Sequence, residues 1–328
     1  MNRKTGLATL TLVLASETPD LDIVTLFGGS VSYLQHHRGI THTLLGAPFV
    51  AAGTLGLVYG VYRLLLSRGR KPAMPPNWRL LYLYALFAVL IHVFLDFTNS
   101  YGVRPLAPFN PRWYSWDIVF ILDPIILAVL LLALVTPALF GLISEEIGGR
   151  KYPRGRGAAI FALICFAVLI YLHDFEHRRA VNLLKSVTYG DQDPRRVSAY
   201  PSALNPFVWY GVVETRDFLE STVVNPRAGQ IDPEGTSTLR HKPEETPATL
   251  AAEKSRLGQV YLDWAQYPVV EADQLPAEEG YKVEFVDLRF ANLSSDRQPP
   301  PLTGYVILDP KLRVVDMYVG GARPERSR

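Results

Sequence analysis

Three of the seven histidines in this 328-residue chain, His36, His37 and His42, fall within seven positions, with Arg38 and Gly39 between them. Fourteen residues upstream of His36, Asp22 closes the run Pro19, Asp20, Leu21, Asp22. His92 and Asp96 stand four residues apart, a spacing that puts both on one face of a helix. Imidazole nitrogen with carboxylate oxygen is a donor set for zinc, and also for manganese or iron. Each cluster alone has a plainer reading. Aspartate after proline commonly caps a helix or closes a turn, and a His/Asp pair at a helix end can simply be hydrogen-bonded. The single cysteine, Cys165, lies in an apolar run, so thiolate metal sites and internal disulfides are excluded.

The elements that must position these residues belong to two parts of different composition. Residues 1–177 hold 24 of the 64 Asp, Glu, Lys and Arg, and the last 151 hold 40. So little charge, with long Leu, Ala, Val and Phe runs, makes residues 1–177 a membrane domain and 178–328 a separate domain. A helix needs roughly 17–25 apolar residues to cross the hydrocarbon core. Four stretches meet or approach that: Leu44 to Leu66, Leu80 to Thr98, Ile118 to Ile143 and Gly157 to His173. A shorter one, Gly6 to Ser16 after Arg3 and Lys4, reads either as a secretory leader with cleavage near Ala15 or as part of a helix. The expectation is an α-helical polytopic membrane domain of four to five helices.

Lysine and arginine concentrate at residues 3–4, 68–79 and 150–156, which assigns those segments to the cytoplasm. Segments 17–43 and 97–117, and everything after the last span, are then expected outside, with Trp113, Tyr114 and Trp116 as an interfacial anchor. Beyond Arg178 the pattern is short alternating runs: Phe207 to Glu214, Gly280 to Ala291, Gly304 to Leu308 and Leu312 to Val319. A helical stretch, Thr249 to Gln266, and a polar loop, Pro226 to Pro247, interrupt them. This predicts a small α+β, mainly antiparallel, extracytoplasmic domain. A net charge of +2 makes no case for nucleic acid as a partner; the partner expected from composition is the lipid bilayer.

The orientation rule never used Asp20, Asp22, the histidine cluster or the His92/Asp96 pair, yet it puts all three groups on one side of the membrane. Six donors among them are enough for one or two divalent ions. Arg38 could neutralise an anionic substrate oxygen or pair with Asp20 or Asp22. Asp22, Asp117 or Asp123 could accept a proton from a metal-activated water, although Asp123 before Pro124 also has the form of a capped helix start. His173 and His177, at i, i+4 spacing, fit either a metal pair or the exit from the last span. Gly46, Gly53, Gly56 and Gly60 are expected to allow close helix packing.

The Pro-Asp-Leu-Asp at 19–22, His-His-Arg-Gly-Ile-Thr-His at 36–42, and His92 with Asp96 followed by Asn99, Ser100, Tyr101 and Gly102 resemble the YdjM-like inner-membrane metal-dependent hydrolases. Trp116, Asp117, Phe120 to Asp123 and Pro124 extend the likeness. More remotely, the pattern is similar to the zinc-dependent phospholipase C and nuclease superfamily. The resemblance implies a multi-pass bacterial inner-membrane hydrolase, with phosphoesters first among its substrates and zinc first among its metals. Carried over by position, the ligands it implies are Asp20, His37, His42, His92 and Asp96, with Asp22 a further candidate and His36 behind them. Members of that family usually carry an Asp-x-x-Thr-His-x-x-x-Gly segment on a first helix, whose histidine has no counterpart after Met1, Asn2 and Arg3. Two other readings stand beside the enzyme: a catalytically silent protein stapled by a metal, and a metal transporter.

Overall fold

The structure is a computed structural model that describes residues 4–146, 155–276, 279–293 and 299–320. Packing divides the chain into two compact units, Met1–Ser115 with Pro243–Arg328, and Trp116–Lys242. This grouping follows contacts and runs across the compositional division after His177.

The first unit opens with helix α1 (Ala8–Glu17), a 3-10 segment (Pro19–Gly28), α2 (Ser30–His36), a tight 3-10 turn (Ile40–His42), α3 (Ala47–Ser67) and α4 (Trp78–Thr98). At about 1.5 Å per residue, the 21-residue α3 and α4 are each about 31 Å long, the thickness of a hydrocarbon core. Their burial follows a single stripe: Ala47, Ala51, Thr54 and Val58 on α3, and Leu81, Ala85, Val89 and Val93 on α4. Small residues there let the two helices and Ala15 of α1 approach closely. The remaining faces expose Phe49, Leu57, Leu83 and Phe87, a pattern that suits lipid rather than water. The segment before the first span is thus a helix packed on α3 and α4.

In the second unit, α5 (Pro124–Glu146) and α6 (Arg156–Lys185) precede an antiparallel sheet. It runs β1 (Arg196–Pro201), β2 (Trp209–Glu214) and β3 (Phe218–Asn225), with β4 (Gln230–Ile231) and β5 (Thr238–His241) both paired to β3. Asp123 caps α5, its Oδ1 accepting from the backbone N–H groups of Ile125 and Ile126 at 2.9 Å. That capped start places α5 later than the expected onset at Ile118. Helix α6 continues past His173, and Ala180 and Leu184 on its last turns pack against Trp209 and Val213. The expected loop 226–247 holds β4 and β5 because Asp232 turns the chain, accepting from the N–H groups of Thr236 and Ser237.

The chain then returns to the first unit with α7 (Pro247–Glu253), α8 (Arg256–Trp264) and a meander of β6 (Pro268–Gln274), β7 (Tyr281–Asp287), β8 (Gly304–Leu308) and β9 (Val314–Val319). One helix was expected over 249–266; two form, because the Ser255 hydroxyl caps α8 and the Ala252 carbonyl approaches Gly258 so closely that a Cβ would lie 2.3 Å from it. Strand β7 ends at Asp287 rather than Ala291, since that carboxylate accepts from the N–H groups of Gln266, Tyr267 and Arg289 and bends the chain into a 3-10 turn, Leu288–Leu293. The meander, α7 and α8 share one core with Val31 and Leu34 of α2 and with Tyr101.

Among the described residues three helices are long and apolar enough to cross a membrane: α3, α4 and α6. Gly53, Gly56 and Gly60 have nothing within 4 Å of where a Cβ would stand, so helix packing does not require them. Gly46 is different: a Cβ there would lie 1.8 Å from the Ile40 carbonyl. Trp113, expected as a membrane anchor, donates from Nε1 to Asp263 at 3.3 Å and stacks under Arg104. In the second unit Trp116 donates to Asp174 at 3.0 Å.

Candidate metal centre

Three elements of the first unit bring distant side chains to one point. The 3-10 segment starting at Pro19 presents Asp20, the tight turn at 40–42 presents His42, and the last turns of α4 present His92 and Asp96. The turn holds its shape because Gly46 admits the Ile40 carbonyl and donates its N–H to the Thr43 hydroxyl at 2.7 Å.

The donor atoms face one another. His42 Nε2 lies 3.2 Å from His92 Nε2, 3.3 Å from Asp20 Oδ1 and 3.2 Å from Asp96 Oδ2. His92 Nε2 lies 3.4 Å from Asp20 Oδ1 and 3.3 Å from Asp96 Oδ2. All four donors lie within 4.8 Å of one another. A tetrahedron with edges of about 3.3 Å has its centre about 2.0 Å from each corner, or about 2.4 Å if the sixth edge is stretched to that limit, against zinc bonds to nitrogen and oxygen of about 2.0–2.2 Å. Asp96 Oδ2 is buried and forms no aligned hydrogen bond among the described residues, although both imidazoles stand within 3.3 Å. Four inward-facing donors with an orphaned carboxylate oxygen fit a divalent cation.

Charge agrees with geometry. Asp20, Asp22 and Asp96 against Arg38 leave two negative charges when the imidazoles are neutral, which one divalent ion balances. Burial raises the Asp20 carboxyl, but hydrogen bonds from His42 and His92 outweigh it and hold the group well below the usual carboxylate range. Burial lowers His42, and the Asp20 and Asp96 carboxylates beside it more than reverse that, so its imidazole keeps a proton above its ordinary 6.5 when no cation competes.

A second layer orients these donors. Asp22 is buried, with Oδ1 2.9 Å from His37 Nδ1 and Oδ2 accepting the Arg38 backbone N–H at 2.8 Å. The same Oδ2 stands 3.3 Å from the Thr41 hydroxyl and 3.4 Å from His42 Nδ1. A carboxylate behind the far nitrogen of a ligand histidine fixes its tautomer and ring direction. The Arg38 guanidinium is buried: Nη2 pairs with Asp96 Oδ1 at 2.8 Å, and Nη1 donates to Asn99 Oδ1 at 3.0 Å and to the Gly102 carbonyl at 3.2 Å. It also lies over the Tyr101 ring, 4.8 Å from its centroid.

Of the residues expected from sequence, the structure gathers Asp20, His42, His92 and Asp96. It places Asp22 and His37 beside them, joined to each other, and it engages Arg38 with Asp96 and the 99–102 backbone. His36 is exposed. Asp117 and Asp123 lie in the second unit, where Asp123 caps α5. His173 there donates to the Ile118 carbonyl at 2.8 Å, and His177 lies against Trp209. Sequence reasoning missed the parts played by Thr41, Asn99 and Tyr101.

Beside the centre, sharing Asp22 and Thr41 with it, lies a mostly apolar cleft of about 550 Å³ lined by Leu21, Val24, Ile40, Pro108 and Arg104. Phe27 and Phe109, close in sequence to the lining residues Thr25 and Pro108, are 96 % and 86 % exposed.

A model of the family described as YdjM inner membrane protein matches residues 2–178. A Bacillus subtilis (strain 168) protein named "Uncharacterized protein YfhP" is 29 % identical over 111 residues, 34 % of this chain and 31 % of that protein. The chain thus spans about a third of the curated relative it matches. No solved structure matches.

Proposed function

The chain belongs to the YdjM inner membrane protein family, and from that premise we propose that it is a membrane-bound metal-dependent hydrolase acting on an ester or phosphoester of an amphiphilic substrate. The observation that carries this reading is the convergence of His42, His92, Asp20 and Asp96 on one point at metal-bond distance. An imidazole and carboxylate set without thiolate is the composition of catalytic rather than structural zinc sites. Zinc is the first candidate, one ion per chain.

A divalent ion held there supplies a Lewis acid that acidifies water and polarises an ester oxygen. The chain's own residues do the rest. Arg38 occupies Asp96 Oδ1 and leaves Oδ2 for the centre. His42 Nδ1 meets the Thr41 hydroxyl at 3.0 Å, with Asp22 Oδ2 behind it at 3.4 Å, so Nε2 presents its lone pair inward. Both Asp22 oxygens are engaged, which makes it an orienting group; Asp20, whose side chain is 48 % exposed, is the donor of the four most open to solvent. The apolar cleft and the exposed Phe27 and Phe109 suit a substrate with an acyl portion. With the basic segments inside, the centre and residues 178–328 face the extracytoplasmic side.

One observation favours a second reading: four protein donors already fill a tetrahedron, as in sites where zinc only staples segments together. Cobalt-loaded protein in detergent separates the two. Titration with acetohydroxamate is expected to shift the visible d–d bands, and the protein is expected to cleave a long-chain p-nitrophenyl ester or p-nitrophenyl phosphodiester, with both properties lost in His42→Ala. Unshifted bands and no cleavage at full metal loading establish the staple. Equal metal content in wild type, His42→Ala and His92→Ala overturns both readings.

A further inference from the structure

The four consecutive residues that follow α4, Asn99 to Gly102, have two sets of partners. On one side they hold Arg38. Asn99 Oδ1 accepts from Arg38 Nη1 at 3.0 Å and also from the backbone N–H of Tyr101 at 3.0 Å, and the Gly102 carbonyl accepts from Nη1 at 3.2 Å. Gly102 has φ +85° and its Cβ position would lie 3.1 Å from the Tyr114 carbonyl, so the turn admits little else.

On the other side they are gripped by the C-terminal segment, which lies beyond the residues that the family model matches. Arg289 donates from Nη1 to the Ser100 carbonyl at 2.7 Å, from Nη2 to the Trp264 carbonyl at 3.2 Å and from Nε to Asp287 Oδ2 at 2.8 Å. Its guanidinium lies over the Trp264 ring, 4.5 Å from the centroid. Trp264 donates from Nε1 to the Tyr101 carbonyl at 3.2 Å. Arg289 and Asp287 are buried to 3 % and 2 % exposure. A buried ion pair is a weak source of stability, because desolvation consumes most of its Coulombic gain. A guanidinium fork in fixed directions is instead a device for setting geometry.

We propose that the C-terminal segment is a brace for the metal centre, with Arg289 and Trp264 as positioning residues that fix 99–102, which fixes Arg38, which fixes Asp96. The inference rests on the metal reading of the same four donors. It assigns to this chain a dependence of its membrane-edge site on residues almost two hundred positions away.

The test compares Arg289→Met, Arg289→Lys and Trp264→Phe with Val283→Ala, which weakens from β7 the core that Val283 shares with Tyr101 but removes none of the hydrogen bonds made to 99–102. Two readouts are taken on the full chain in detergent: amide hydrogen exchange of segments 36–42 and 92–102 in metal-free protein, and the affinity and d–d spectrum of Co²⁺. Arg289→Met is expected to speed exchange in both segments at least tenfold, weaken Co²⁺ about tenfold, the lower end of what outer-layer substitutions cost, and shift its bands. Arg289→Lys should recover part of each effect, and Val283→Ala should leave all of them unchanged. If Arg289→Met does not fold, Trp264→Phe carries the test, since it removes the indole N–H from the Tyr101 carbonyl and keeps a smaller aromatic ring beneath the Arg289 guanidinium. Exchange at 36–42 and cobalt bands as in wild type for the Arg289 and Trp264 variants, or equal changes in Val283→Ala, overturn the brace. If wild type takes up no metal, the metal reading falls and the exchange arm still decides the brace.

Discussion

Replacing Asp22 by asparagine separates an orienting residue from a ligand. The side chain keeps its shape but exchanges one acceptor oxygen for an amide group. In the native centre Oδ1 meets His37 Nδ1 at 2.9 Å and Oδ2 meets the Arg38 N–H at 2.8 Å, with Thr41 and His42 Nδ1 behind it at 3.3 and 3.4 Å. Whichever way the amide turns, either His37 or the buried Arg38 N–H loses its acceptor, a loss of about 1–3 kcal/mol. The four convergent donors stay in place, so one ion per chain should still bind. Losing the carboxylate behind His42 should weaken that ion by about 10–100-fold, equivalent to about 1.4–2.7 kcal/mol. Competition with a chromogenic chelator, at matched protein concentration and pH, reads the affinity, and elemental analysis reads the stoichiometry. Wild-type affinity in Asp22→Asn refutes the orienting role. Loss of binding altogether, or a fall from two ions to one, makes Asp22 a ligand.

Two further outcomes follow from named contacts. Without metal, the folded state raises the pKa of His42, so its charged form contributes stability that is complete below 6.5 and is lost as pH rises through the raised value. Bound zinc needs the neutral imidazole, so its stabilising effect on thermal unfolding should grow with rising pH over that window; an effect flat in pH counts against His42 as a ligand. Gly46→Ala would set a Cβ 1.8 Å from the Ile40 carbonyl, and forcing the turn open should cost about 1–3 kcal/mol and lower metal affinity. Gly56→Ala, with open space around it, should be neutral in the same thermal and metal assays.

The membrane helices were legible because α3 and α4 need only length and apolarity to be recognised. The donors were legible because histidine and aspartate at a span's edge are costly enough to need a reason. The division of labour between Asp20 and Asp22 was not. In Pro-Asp-Leu-Asp the two aspartates are equivalent on paper, but a 3-10 segment turns about 120° per residue, so residues two apart point to different sides. Asp20 therefore reaches the His42 and His92 Nε2 atoms while Asp22 reaches His37 and the Nδ1 side of His42. His37 could not be told from His42 for the same reason: backbone at Arg38 takes φ +53°, which reverses the chain between them. Strand β7 looked longer than it is because the bend at Asp287 depends on N–H groups from residues 266 and 267, not on local pattern. The grip of Arg289 on Ser100 spans 189 positions and leaves no periodic trace in either segment.

The segment that carries Asp20 is thinly packed. Only Pro19 and Asp22 of the Pro19–Gly28 segment are buried, while Leu21, Ile23, Val24, Leu26 and Phe27 are exposed. Apolar side chains so exposed gain nothing from water and would be stabilised by the acyl boundary of a bilayer, the environment that the lipid-suited faces of α3 and α4 in the same unit also require. On the polar side, three carboxylates around one guanidinium repel one another until a cation joins them. In the proposed metal-loaded protein the segment would be held from two directions, by lipid on its apolar side and by the ion on its carboxylate side. Under that proposal stapling and hydrolysis would begin with the same event and part only at Asp20. Its half-exposed carboxylate would either stay bound and close the fourth position, or make room for a water on the side from which an amphiphile leaving the bilayer would arrive.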